Sequence, residues 1–480
     1  MNTTKRRRMA NWASLGPRFL PFADAASADL PLSRLLRLSL FQISFGMAVV
    51  MLVGTLNRVM IVELKVPAHL VALMVALPLL AAPFRALIGF RSDRHRSELG
   101  WRRVPYIWMG TLMQFGGFAV MPFALLVLAG AGQSAQAPAW VGQLGAAIAF
   151  LLVGAGMHTT QTVGLALATD LAPTHKQPQV VGLMYVMQLL GMIASAVAFS
   201  DLLTDYSPGR LIRVVQAVAV TTLVLNVIAL WKQEPRSSLR KPGAVRAQGE
   251  DESFSAAWSR FCSGSHTTRR LLGVGLGTMA FTMQDVLLEP YGGEVLLLSV
   301  SQTTFLTATL AFGGLIGFTF ASFVISRGAD PYRMACWGAA LGLPAFAAVM
   351  GAASLQSTGL FVGGVFLIGL GGGLFAHGTL TASMQMAPPE QIGLALGAWG
   401  AVQASAAGLA IALGGILREL LAAPLGITGA YVSVYGLEQL MLLGTLAAMW
   451  PLARKRGQTE PLAHAVQNSA PAQPVSGSAS

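Results

Sequence analysis

The chain has 480 residues, of which 54% are apolar and only 11% charged, with a formal net charge of +12. A soluble domain carries about 25% charged residues, so a soluble enzyme or soluble binding module is excluded and a polytopic membrane protein is left. The basic excess, which in a soluble chain would point to nucleic acid, here follows loop position and reads first as a topology signal. Apolar windows near the ~20 residues that cross a bilayer are predicted at about 38–62, 68–90, 104–130, 141–168, 179–203 and 211–231. After a polar stretch they resume at about 270–291, 297–325, 332–354, 359–386, 391–417 and 429–452. The expectation is an all-α protein with twelve transmembrane helices in two groups of six. Its divisions are a cytoplasmic N-terminal segment 1–37, a six-helix half 38–231, a cytoplasmic linker 232–268, a second half 269–452 and a disordered tail 453–480.

Most of the 32 Lys and Arg fall at the N-terminus, in the even-numbered loops, in the linker and in the tail. Arg58, Lys65, Arg210, Arg213 and Arg418 fall on the other side, so the positive-inside rule puts both termini in the cytoplasm. Cys262 and Cys336 are far apart and offer neither a disulfide framework nor a zinc spacing. Lys5-Arg-Arg-Arg8 is not followed by a short apolar core and a cleavage site, so no signal peptide is read.

The two halves repeat. Gly154, Gly156, Ala172, Pro173, Gly182 and Gln188 match Gly369, Gly371, Ala387, Pro388, Gly397 and Gln403 at one constant offset. Leu87-Ile-Gly-Phe90 matches Leu315-Ile-Gly-Phe318, and Asn57-Arg58-Val59 faces Gln284-Asp285-Val286. A parallel six-helix repeat about an axis normal to the membrane is the arrangement of major facilitator halves. The loop between spans 2 and 3 agrees: Gly89, Asp93 and Arg94 begin the facilitator loop motif, and its closing Gly-basic-basic comes late, as Gly100-Trp-Arg102-Arg103. Those charges can clamp the cytoplasmic face or merely set topology.

In that arrangement spans 1, 4, 7 and 10 line the centre. They carry Asn57, Arg58 and Glu63; His158 and Asp170; Gln284, Asp285 and Glu289; and His377. A buried Asp costs at least ~2.5 kcal/mol on insertion scales, so these acids are paired or part of a working cavity. Asp285 and Glu289, four apart, are expected on one helical face, with the helix broken by Pro290 and Gly292-Gly293. Arg58 and Asp285, equivalent in the repeat and opposite in charge, are expected to pair across the pseudo-twofold axis or to lie hydrated at the outer interface. His158 and His377 read as ligands for a metal in a macrocycle, as proton relays, or as histidines bonded to a neighbour. No nucleophile–base set or metal-ligand cluster is read, so neither an enzyme nor a metal site of the protein's own is expected.

Leu20-Pro-Phe-Ala-Asp-Ala25, Gly54-Thr-Leu-Asn-Arg-Val-Met-Ile-Val-Glu63, Pro83-Phe-Arg-Ala-Leu-Ile-Gly-Phe90, Gly100-Trp-Arg-Arg-Val-Pro-Tyr106 and Gln284-Asp-Val-Leu-Leu-Glu-Pro-Tyr-Gly-Gly293 together resemble the PucC/LhaA family, the bacteriochlorophyll-delivery branch of the major facilitator superfamily. The likeness runs from about residue 15 to 452, and the Leu15-Gly-Pro-Arg-Phe19 opening leans towards the LhaA type. The resemblance implies the major-facilitator fold and an assembly factor for light-harvesting complexes in the bacterial inner (intracytoplasmic) membrane. LhaA-like members serve the core antenna, light-harvesting 1, and PucC-like members the peripheral antenna. It also implies transient bacteriochlorophyll, and as partners the antenna α and β polypeptides, pigment-synthesis enzymes and insertion machinery, with membrane lipid around it and a homo-oligomer allowed. Two other functions fit the residues alone: a proton-coupled transporter using Asp285 and Glu289, and a ligand-free membrane scaffold.

Overall fold

The structure is a computed structural model. It describes residues 25–26, 30–80, 88, 92, 101–130, 136–173, 176–234, 267–386 and 392–468. The expected N-terminal segment and linker lie largely outside these residues, as do Gly89, Asp93 and Arg94 of the loop motif.

Among the described residues all regular structure is helical, as a chain in lipid requires when each backbone N–H and C=O must be bonded within its own segment. The first half comprises α1 Leu32–Glu63, α2 Ala68–Leu80, α3 Val104–Leu128, α4 Ala139–Leu171, α5 Gln177–Leu202 and α6 Pro208–Leu230. The second comprises α7 Thr267–Glu294, α8 Val300–Ser326, α9 Pro331–Ser354 and α10 Thr358–Met386. Ile392–Asn468 is then two helices across Gly426, whose φ of 71° interrupts them, giving α11 (392–425) and α12 (427–468). Among the described residues ten helical stretches are long and apolar enough to cross a membrane, the α11–α12 stretch counted as one, and α2 is a shorter apolar helix. Large apolar side chains such as Phe123, Trp337 and Leu440 stay exposed on the outer surface, where lipid rather than water would meet them.

Local signals set several helix starts. Ser207 accepts from the Arg210 amide ahead of Pro208, Asp330 accepts from the Tyr332 amide ahead of Pro331, and Ser299 with Gln302 forms a capping box.

The helices pack as a repeat. In the first half α1 lies on α5, and α3 on α4 and α6; in the second, α7 lies on α11, and α9 on α10 and α12. The halves meet through α2 on α11 and α5 on α8, which the repeat interconverts. One close approach is duplicated: the Gly110 carbonyl lies 2.5 Å from where a Cβ on Gly156 would sit, and the Gly338 carbonyl 2.8 Å from that of Gly371. Any side chain there would force α3 from α4, or α9 from α10. This is the packing role of small residues in apolar helices, and it explains why Gly156 and Gly371 match in the sequence.

One expectation is corrected. The break in α7 is not at Pro290 and the glycine pair: the helix Thr267–Thr282 tightens to a 3₁₀ turn at Met283–Val286, and Leu288–Glu294 is helical again. Pro290 falls in the first turn of that second helix, where its missing N–H has no intrahelical partner to lose. The last helix runs on to Asn468, and 469–480 of the expected tail lie outside the described residues.

Candidate functional site

The irregular turns of α1 and α7 face each other. α1 is π-helical over Val50–Leu56 and Val59–Glu63, a form that recurs at functional sites. The Asn57 side-chain amide, between these two turns, donates to the Val286 carbonyl at 3.0 Å and ties the first half to the 3₁₀ turn of the second. Nearby, the Thr55 and Thr304 hydroxyls are 3.3 Å apart.

Asp285 and Glu289 do not share surroundings, because the chain changes helix type between them. Glu289 is 2% exposed; Thr307 of α8 donates to its Oε1, and its Oε2 has no protein partner. Gly54 leaves room for it in this position: a Cβ there would stand 2.5 Å from Glu289 Oε1. Asp285 accepts from the neighbouring Gln284 amide at 2.5 Å and lines two cavities. One, of about 190 Å³, also holds His158, Phe45 and Phe150. The other, of about 250 Å³, lies among α5, α7, α8, α10 and α11 and includes Gln188, Gln403 and Trp399. The lining thus extends beyond spans 1, 4, 7 and 10.

Arg58 does not pair with Asp285. Its guanidinium donates to Glu63 at 2.5 Å and to the Leu298 carbonyl at 3.0 Å. In a π-helical stretch residues five apart come together, which brings Glu63 against Arg58. Beside this pair Tyr206, between α5 and α6, has its phenol pushed up to about 12, first by burial, then by Glu63, with Arg58 opposing. Glu294 at the end of α7 is a paired acid as well: Arg418 of α11 donates to it, and so does the Tyr431 hydroxyl, at 2.8 Å.

The two histidines sit in packed positions. The His158 ring is 5.7 Å from that of Phe45, and the His377 ring meets Phe318 edge-on at 4.5 Å. At the opposite end of the bundle Arg102 and Arg103 reach Asp170 of α4 at 2.5 and 3.1 Å, and Arg103 donates to Ser92 at 2.7 Å. Asp170 is therefore a clamp residue at the end of α4 rather than a cavity residue.

Sequence reasoning passed over Glu438. It lies on α12 at 0% exposure, neither carboxylate oxygen has a hydrogen-bond partner, and the Tyr435 hydroxyl one turn away is also without one. The available signal was a lone acid in the apolar window 429–452.

Two six-helix halves, matched helix for helix and joined at polar breaks, define a multi-pass membrane protein of the major-facilitator type. A bacterial homologue of the human lysosomal transporter Spinster, solved inward-facing and unoccupied, superposes with a TM-score of 0.64 over 88% of this chain and 96% of that one. The identity is 14%, so the likeness is one of fold. The family model described as PUCC protein matches residues 55–457, and the chain belongs to that family. It is 62% identical over 420 residues to Protein PucC of Rhodovulum sulfidophilum, covering 87% of this chain and 92% of that protein. It is 58% identical over 445 residues to Protein PucC of Cereibacter sphaeroides, covering 92% and 96%.

Proposed function

We propose that this protein is an assembly factor for photosynthetic light-harvesting complexes, binding or handing over bacteriochlorophyll while the antenna α and β polypeptides insert. The observation that carries this reading is the family match over 55–457. The location that goes with it is the bacterial inner membrane, with both termini cytoplasmic. Its partners are the antenna polypeptides, the pigment-synthesis enzymes and the insertion machinery. The client is the core antenna if the LhaA lean of the Leu15–Phe19 opening holds, and the peripheral antenna if the chain is of the PucC type.

The interior supports handling at the membrane rather than passage of a large solute through the centre. Ligand pockets run to about 300–1,000 Å³, whereas the cavities beside Asp285 are about 190 and 250 Å³. Axial ligation of a pigment by His158 or His377 therefore requires helices to part.

Deletion of the gene, followed by near-infrared spectra of the membranes, tests the reading. Loss of one antenna band with pigment synthesis intact supports it, and the band lost identifies the client. Unchanged core and peripheral bands overturn it. A second reading, proton-coupled transport through Asp285 and Glu289, is favoured by a half-buried Asp285 that lines both cavities and a buried Glu289. Solute flux into proteoliposomes, lost in Asp285→Asn, would establish it.

A further inference from the structure

The space that matches a large ligand is not central. A cavity of about 930 Å³ opens on the flank of the first half, where the chain enters α1 and α3 and leaves α6. It is lined by Trp101, Val104 and Trp108 at the start of α3 and by Val227, Leu230 and Trp231 at the end of α6. Its volume lies in the ligand range of about 300–1,000 Å³, which neither cavity beside Asp285 reaches.

The rim is built and held without a ligand. After α6 the chain reverses at Lys232, whose φ of 53° is left-handed, an uncommon conformation for a non-glycine residue. That turn sends Gln233 inward, where it is 1% exposed and is held by Arg34 through its side-chain oxygen at 3.0 Å and its carbonyl at 2.7 Å. Glu234 follows and accepts the backbone N–H groups of Arg102, Arg103 and Val104 at 2.8 to 3.0 Å, capping the start of α3. The one rim carboxylate is thus consumed by backbone donors. Lys232 stays exposed with no partner among the described residues.

Three indoles in one lining, Trp101, Trp108 and Trp231, offer flat aromatic surfaces, which suit a rigid conjugated ring better than a flexible acyl chain. The unneutralised cation at the rim suits an anionic substituent on the edge of that ring. Indoles and a lysine together are also what a site at the membrane–water interface presents.

We propose that this cleft is a binding site for a large planar ring with apolar substituents and an acidic edge, the chemical class of a tetrapyrrole carboxylate. The naming of that class as the natural ligand rests on the pigment-handling function above, the acidic edge selecting the unesterified acid of such a pigment over its neutral ester; the existence of the site rests on the cleft.

The test uses the full-length protein in phosphatidylcholine nanodiscs titrated with zinc protoporphyrin IX, followed by the fluorescence of the probe. Saturable binding is expected. The Trp108→Ala/Trp231→Ala variant is expected to weaken it by at least roughly tenfold; both side chains are substantially exposed, at 41% and 61%, so the fold survives. Lys232→Glu is expected to weaken binding of the probe and not of its dimethyl ester. The His158→Phe/His377→Phe variant is expected to bind as wild type. Wild-type affinity in the tryptophan variant overturns the site, as does loss of binding in the histidine variant. Stoichiometric displacement of the probe by phosphatidylglycerol also overturns it and makes the cleft a lipid site. Failure of the assembly function shows separately, as normal antenna in a deletion strain while the purified protein still binds the probe.

Discussion

Arg58 donates to Glu63 at 2.5 Å and turns away from Asp285. The guanidinium is 3% exposed while the carboxylate is 35% exposed, so the pair straddles the boundary between packed interior and outer face. Reversal of Arg58 to Glu should leave two carboxylates together and cost about 1–3 kcal/mol. Thermal unfolding in detergent, followed by loss of the monodisperse species, reads the cost. The Arg58→Glu/Glu63→Arg swap is expected to recover part of it, whereas Arg58→Glu/Asp285→Arg is expected to recover none. Rescue by the second swap would restore the pairing across the halves.

Glu289 occupies the space that Gly54 leaves open, so the two residues should be energetically coupled. Gly54→Ala places a methyl against Glu289 Oε1 and is expected to displace the carboxylate from Thr307. Glu289→Ala removes both the obstacle and the buried acid. The double variant should therefore be less destabilised than the sum of the singles, with a coupling of about 0.5–3 kcal/mol. Additive melting shifts would show that the contact is relieved by rotation of the Glu289 side chain.

The helices and the repeat could be read from the chain because each depends on a run of apolar residues or a recurring glycine, and both are local patterns. Gly156 and Gly371 match because each must pass over a backbone carbonyl, on Gly110 and Gly338. The polar core was legible only as a list. Its pairings depend on the π-turns of α1 and the 3₁₀ turn of α7, which shift the register of Arg58, Asp285 and Glu289 in ways that a uniform 3.6-residue period does not anticipate. Pro290 looked like a helix breaker because its place in a first turn follows from that upstream change. Glu438 was visible as a lone acid but lies on α12, outside the helices expected to line the centre.

Tyr206 offers a pH-dependent readout of the Arg58–Glu63 pair. Its phenol is held up to about 12, by burial first and Glu63 second. The unfolded chain ionises a tyrosine near ~10. The stability this group contributes is therefore complete below pH ~10 and is lost as pH rises towards 12. Ultraviolet titration of wild type against Tyr206→Phe should show one phenolate appearing late. Glu63→Gln removes a charge that raises the value, so ionisation should begin at lower pH. Arg58→Ala removes the opposing charge and should delay it further.

Glu438 separates stability from function most sharply. Both its oxygens lack a hydrogen-bond partner at 0% exposure, and burial of an unbonded polar group costs about 1–3 kcal/mol. Glu438→Leu exchanges that group for an apolar one of similar size beside Tyr435, so the melting temperature should rise. Glu438→Gln keeps polar atoms in the same dry place and should gain less. Where a buried acid serves function at a cost in stability, Glu438→Leu should impair antenna assembly in complemented cells even as the purified protein becomes more stable. A lowered melting temperature in Glu438→Leu would mean that the carboxylate is held by a partner after all, and would return it to the framework that joins α12 to α7.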